Sequence, residues 1–266
     1  MEEELDYSLT DSLFRISANG HKEPVFEMPA AHWLLTEQAQ KALAVIGEMT
    51  RSIGLDLPAS LAGLSLFNLC TAKLIILARH DCFVDLSLPN LIFQVHVHNG
   101  HSYAGYRIVA PERRESREAN NEQFAKSHWT EFFREHINPA IESIARTAVV
   151  DAGLIWNQFG GQLANIREYL RRQQDYIIAM DEFDRCAAVL TERLSADVFG
   201  RKKNPFAYRP RVIDNPWQPG GRMIIRSSCC MFDRRVDGQK CYNCPRLSRD
   251  ERESRRKVIA DQTVVR

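Results

Sequence analysis

CFVDLSLPNLIFQVHVHNGHSYAGYRIVA, residues 82–110, is the stretch in which the chain changes its period. Three segments within it, CFVDLSL, LIFQVHVH and SYAGYRIVA, are rich in β-branched and aromatic residues, and Asn99-Gly100 stands between the second and third. An Asn-Gly pair between alternating segments predicts a tight hairpin, because both central positions of the turn need positive φ. Residues 82–110 are therefore expected to form a small antiparallel sheet. His96 and His98 would share one strand face, with His101 just past the turn. Such a pair can chelate a metal, but a polar strand face is the plainer reading and the one adopted.

On both sides of this stretch the pattern is helical. AAHWLLTEQAQKALAVIGEMTR, residues 30–51, repeats its apolar residues at helical spacing until Gly54 and Pro58 stop the run. LPASLAGLSLFNLCTAKLIILARH, residues 57–80, is roughly long enough to span a bilayer. Asn68 and Lys73 interrupt it, so it is read as a buried core helix. After a polar loop, PERRESREANN, a long helix is expected over 121–150, kinked or restarted at Pro139. Another is expected from Leu163 to Leu194. Beyond Phe199 the chain turns rich in Pro, Gly and Arg, with one short strand, RMIIRS. The fold class is thus α+β: helices packed with a small antiparallel sheet, followed by an irregular C-terminal segment. Residues 1–221 form the body (helical 30–80, sheet 82–110, helical 121–199), and 222–266 pack on the same domain.

With 266 residues, 44% of them hydrophobic, the chain can bury a sizeable core. The opening MEEELDYSLTD is acidic and polar, which argues against a secretory signal and for the cytoplasm. The formal net charge of +1 hides an asymmetry. Residues 201–266 carry 17 Lys/Arg against 7 Asp/Glu, a net of +10, and the first 200 carry 18 against 27, a net of −9. A basic end of this kind attracts nucleic acid, an anionic small molecule or an acidic protein. SRDERESRRKV, residues 248–258, reads as a solvated basic helix.

Four of the seven cysteines lie in SSCCMFDRRVDGQKCYNCPRL, residues 227–247. In the reducing cytosol such a cluster points to metal binding or redox work rather than disulfides. Four thiolates suit a zinc ion or an iron–sulfur cluster. Only Cys241-Tyr-Asn-Cys244 is a C-x2-C knuckle; Cys229 and Cys230 are adjacent, and neighbouring side chains of an extended chain point to opposite faces. A local bend is needed, and spacing alone leaves zinc and iron–sulfur equally open. Cys70, Cys82 and Cys186 sit in apolar contexts and read as small buried residues.

The C-C-x10-C-x2-C pattern, preceded by an arginine-bearing strand, resembles the signature of the ferric-siderophore reductase family of the FhuF type. NPF (204–206) and RMIIRSSCCMF (222–232) are similar to further family stretches, and many members have tyrosine where this chain has Phe232. LIWNQFGGQLANIREYL (154–170) resembles a family segment of Leu-x-Trp-x-x-x-Gly character, and FQVHVHNGH (93–101) is weakly similar to a histidine-containing one. The resemblance implies a 2Fe–2S cluster ligated by Cys229, Cys230, Cys241 and Cys244. It also implies reduction of siderophore-held iron(III) to iron(II), with residues 1–221 binding the ferric siderophore.

Arg222 and Arg226 precede the vicinal cysteines, and Arg234, Arg235 and Lys240 fall between the ligand pairs. Positive charge favours the reduced cluster and attracts anionic chelates, so Arg222 and Arg226 are candidate substrate-binding residues. Trp156 and Asn157 join them from the family-like segment; the structural alternative places Trp156 in the core and Gly160-Gly161 in a turn. The hairpin and the Trp156 segment are expected to form one cleft with the cysteines. With no G-x-G-x-x-G fingerprint, electrons must come from a separate donor of ferredoxin or flavin reductase type. No nucleic acid and no membrane span are expected. The alternatives are a zinc-bearing nucleic-acid-binding protein and a siderophore-biosynthesis relative without redox duty.

Overall fold

The computed structural model describes residues 5–98, 101–111, 113–114, 121–173 and 179–264. In chain order its first elements are α1 (Ser8–Phe14), β1 (Ile16–Ser17), β2 (Phe26–Pro29), α2 (Thr36–Thr50) and α3 (Asp56–His80). Then come β3 (Phe83–Val84), β4 (Leu91–His98), β5 (His101–Ile108), β6 (Arg113–Arg114), α4 (Glu122–Phe132) and α5 (Asn138–Ala148). The last are α6 (Gly153–Trp156), α7 (Phe159–Arg172), α8 (Met180–Ala188), β7 (Val212–Asp214), β8 (Arg222–Ile224) and α9 (Arg249–Val264). The class is α+β, as expected.

α3 is the axis of the fold. It is apolar on every side, and a helix of that kind must lie in a core; 78% of its most apolar window is buried inside the protein. α1, α2, α5, α6, α7 and α8 all pack on it. Lys73, which interrupts the apolar run, is 2% exposed. Its ammonium donates to Val84 O at 3.0 Å and lies over the rings of Phe83, Trp129 and Phe132. The charge is thus held by a carbonyl and aromatic faces rather than by water.

The 121–150 helix restarts where its proline demands. Between α4 and α5, Phe133–Ile137 forms a wide π turn, and Pro139 then sits in the first turn of α5. There its missing N–H costs nothing. The stretch 163–194 is two helices, not one. Gln173 is extended (φ −92, ψ 97) and ends α7. Asp184 of α8 accepts from Arg167 and Arg171 of α7. One continuous helix would hold Arg167 and Asp184 about 25 Å apart, so the two helices must lie side by side.

The sheet is not built from residues 82–110 alone. Its order is β1-β5-β4-β2, with β4 antiparallel to both β5 and β2 and β1 parallel to β5. Residues 82–88 do not join it. Phe83 and Val84 pair instead with Arg114 and Arg113, inside the stretch read as a loop. The Asn99-Gly100 turn lies outside the described residues, although the pairing of His98 with His101 brackets it. β4 is covered on both faces. Leu91, Phe93 and Val95 face the core, and Gln94 and His96 are buried as well. His21 stacks on His96 with ring centroids 4.0 Å apart, and the His21 backbone N–H donates to Gln94 Oε1 at 2.8 Å. His96 is therefore a packed residue rather than part of a solvated polar face.

Candidate metal centre

The N-terminal end of α7 is the platform on which the cysteine segment rests. Gly160 and Gly161 are helical, not a turn, and their missing side chains allow close approach. Gly160 N–H donates to Pro205 O at 3.0 Å, and Gly161 N–H donates to Ser227 Oγ at 3.0 Å. A Cβ on Gly161 would stand 2.4 Å from that Oγ. Beside it, Ser60 of α3 donates to Cys230 O at 2.9 Å and accepts from Gln158 Nε2 at 3.1 Å. The loop between the cysteine pairs docks on the connection from α2 to α3. Ile53 N–H donates to Arg234 O at 2.6 Å, Val236 N–H to Arg51 O at 2.8 Å, and Arg234 faces Asp56 at 3.8 Å.

Within the segment the chain supplies the bend that vicinal cysteines need. Met231, directly after Cys230, has φ 57, a left-handed conformation that costs a non-glycine residue about 1–2 kcal/mol. The knuckle closes through Cys244 N–H to Cys241 O at 3.0 Å. It is tied to the end of β8 by Arg226 N–H to Asn243 O at 3.0 Å and by Asn243 Nδ2 to Ile224 O at 3.1 Å. The result is two sulfur pairs: Cys229 with Cys244 at 3.8 Å, and Cys230 with Cys241 at 4.0 Å. A tetrahedral ion with metal–sulfur bonds of about 2.3 Å holds two thiolates roughly 3.8 Å apart. Each pair has the spacing of one such ion. Among the described residues no three His, Cys, Asp or Glu side chains are placed around a single ion. That geometry favours two metal positions over one.

The two pairs differ in setting. Cys229 and Cys244 are buried; Cys230 and Cys241 are half-exposed. Burial pushes the Cys229 thiol up. Cys230 is held down to about 6, first by the hydrogen bond from the Cys241 thiol and then by the charge of Arg226. Cys241, as the donor in that bond, is pushed up. Arg226 Nε is buried with no hydrogen-bond partner among the described residues. Arg246 Nη1 reaches Cys229 Sγ at 3.9 Å and Met231 Sδ at 3.6 Å. Phe232, 42% exposed, lies under the Arg235 guanidinium.

α9 is more than a solvated tail. Ser248 and Glu251 cap it reciprocally: Ser248 N–H donates to Glu251 Oε2 at 2.7 Å and Glu251 N–H to Ser248 Oγ at 3.1 Å. This S-x-x-E capping box was visible in the sequence. The cap aims Arg252 at the knuckle, where it donates to the carbonyls of Tyr242, Cys244 and Leu247 at 3.1, 2.9 and 3.3 Å. Arg255 donates to Lys240 O. Arg252→Ala is expected to cost about 1–2 kcal/mol, since bonds to a charged donor outweigh neutral ones. The loss should appear as faster metal release in mild denaturant, and an unchanged release rate would remove Arg252 from the clamp.

The remaining expected site residues separate. Arg222 is exposed and lines a hollow of about 450 Å³ against α7. Trp156 is not available to a substrate. It is 1% exposed and packs among Phe133, Phe159 and Phe199, so it belongs to the core. Asn157 is exposed at the end of α6. The α7 segment does face the cysteines. The hairpin's own hollow is walled by Asp11, Arg15, Gly20, His21, Gln94, His96 and Gly105. Its walls come from the N-terminal region and the sheet, so the hairpin half of the shared cleft is not supported.

Comparison with known families agrees with the cysteine geometry. Residues 226–246, which contain all four clustered cysteines, match the family model of the FhuF 2Fe-2S C-terminal domain. The cofactor of this domain is a 2Fe–2S cluster. No curated protein matches the chain.

Proposed function

From a chain that carries a FhuF-type 2Fe–2S domain at its C-terminal end, we propose a ferric-siderophore reductase of the cytosol. Residues 1–221 form the body that receives the ferric siderophore, and residues 222–266 carry the cluster. Cys229 and Cys244 hold one iron; Cys230 and Cys241 hold the other. The observation that supports this most is the division of four sulfurs into two pairs, 3.8 and 4.0 Å apart, on a segment anchored to α3 and α7.

When bound, the cluster supplies one-electron transfer, from a separate donor of ferredoxin or flavin reductase type to chelated iron(III). The residues around it set the conditions. Arg226 lies beside Cys230 and Cys241, and its charge favours the more negative, reduced state. Its orphaned Nε is a donor left for an acceptor at the cluster. Arg246 does the same work at Cys229. Arg252 holds the knuckle carbonyls and Asn243 ties the knuckle to Ile224 O at the end of β8, so that the ligand sulfurs do not move between oxidation states. No proton need be moved at the iron, because the product, iron(II), leaves by being held less tightly by its chelator.

Zinc is the rival, and one preparation separates the two. Protein purified without oxygen should be brown, bleach with dithionite, and contain two irons and two acid-labile sulfides per chain. A colourless protein with one zinc per chain would contradict the reading.

A further inference from the structure

α7 and the β7–β8 ribbon enclose the hollow of about 450 Å³, a volume suited to a small-molecule ligand. Its charged wall consists of Arg167, Arg171 and Arg172 from one side and Arg222 from the other. Two carboxylates answer three of these guanidiniums: Asp184 takes Arg167 and Arg171, and Glu168 takes Arg172. With Asp214 opposite Arg222 in the ribbon, the rim keeps a net positive charge of one. Its floor is apolar and aromatic, with Val212, Met223, Ile224 and Tyr169. One further lining residue is Asn243, which lies between the ligands Cys241 and Cys244 and bonds to the carbonyl of Ile224. The hollow thus backs onto the knuckle itself.

Resting on the reductase reading, we infer that this hollow is the docking site for the ferric chelate and that it selects polyanionic, catecholate-type complexes. The guanidiniums meet the negative charge of the chelate, Tyr169 and the aliphatic floor meet its aromatic rings, and Asn243 brings the ligand knuckle to the wall. A neutral hydroxamate complex leaves the rim charge unanswered.

The test measures binding without turnover, using redox-inert gallium(III). Wild-type protein is titrated calorimetrically with a trianionic hexadentate tris-catecholate complex of gallium and with a neutral tris-hydroxamate complex. Arg222→Ala should weaken the trianion about tenfold at low ionic strength, and only about threefold near 0.15 M salt as screening sets in. It should leave the neutral complex nearly unchanged. Ala164→Trp, which fills the hollow from the α7 wall, should weaken both complexes. Lys202→Ala removes an equal charge elsewhere and should change neither. If both complexes bind and Arg222→Ala and Ala164→Trp leave their affinities intact, the hollow is not the site, while the reductase reading stands. If wild-type protein binds no complex of either kind, the reductase reading itself fails and this inference with it.

Discussion

Serine in place of Cys230 is expected to leave the protein without its visible absorption and without ferric reduction. A hydroxyl is a harder and far less acidic ligand than a thiol, and Cys241, 4.0 Å away, would be left to hold its iron alone. Serine at Cys229, Cys241 or Cys244 should do the same, each variant breaking one pair. The three cysteines outside the segment provide the contrast. Cys70, Cys82 and Cys186 are 0%, 1% and 3% exposed. Burial pushes the Cys70 thiol up and that of Cys186 up to about 12, so neither offers a thiolate. Alanine at these positions should cost about 1 kcal/mol each through lost packing, with the spectrum intact. A Cys230→Ser protein with unaltered absorption and iron content would overturn the four-ligand assignment.

Gly161→Ala should destabilise the protein although it improves the helix. Alanine inside α7 is worth up to about 1 kcal/mol in propensity. Against this, the new Cβ would meet Ser227 Oγ at 2.4 Å and Ser227 N at 2.7 Å. Overpacking of this kind costs about 1–3 kcal/mol, and the Gly161–Ser227 hydrogen bond goes with it. Gly161→Val adds two methyl groups to the same clash and should cost more. The loss is local, since residue 227 leads directly into Cys229. Thermal unfolding together with iron retention would read it: the two should fall together. A Gly161→Ala protein at least as stable as wild type, with full iron content, would show that α7 does not seat the cysteine segment.

What could be seen in the sequence follows from what a local pattern can encode. The apolar run of α3, the pairing of the strands on either side of Asn99-Gly100 and the restart at Pro139 are local statements, and each is recovered. Strands of two to four residues carry too little pattern to announce themselves, which is why β1, β2 and β7 passed unseen. Phe83–Val84 was joined to the wrong partner because Arg113–Arg114 looks like loop composition, and pairing is a long-range property. The 163–194 helix was read through its break because both halves keep helical spacing, and only the Arg167–Asp184 contact folds them side by side.

The site divides along the same line. The cysteines announce themselves by chemistry, and their grouping into two pairs is a property of the folded chain. Gly160-Gly161 looked like a turn, because a glycine pair gives no sign of whether it serves φ or close approach. For Trp156 the sequence leaves contact residue and core residue both open, since nothing local tells that Phe133 and Phe199 close around it; the core reading holds. Arg252 was hidden in a basic stretch, although the Ser248–Glu251 capping box had already fixed where its helix begins.

The most direct measurement mixes dithionite-reduced, desalted protein with a ferric siderophore under anaerobic stopped flow, with a colourimetric iron(II) chelator present. If the two cysteine pairs carry a cluster that reduces chelated iron, cluster absorption should return as iron(II) appears. The two traces should share one rate constant, with one iron(II) formed per cluster reoxidised. A cluster that stays reduced while the ferric chelate remains intact would contradict it.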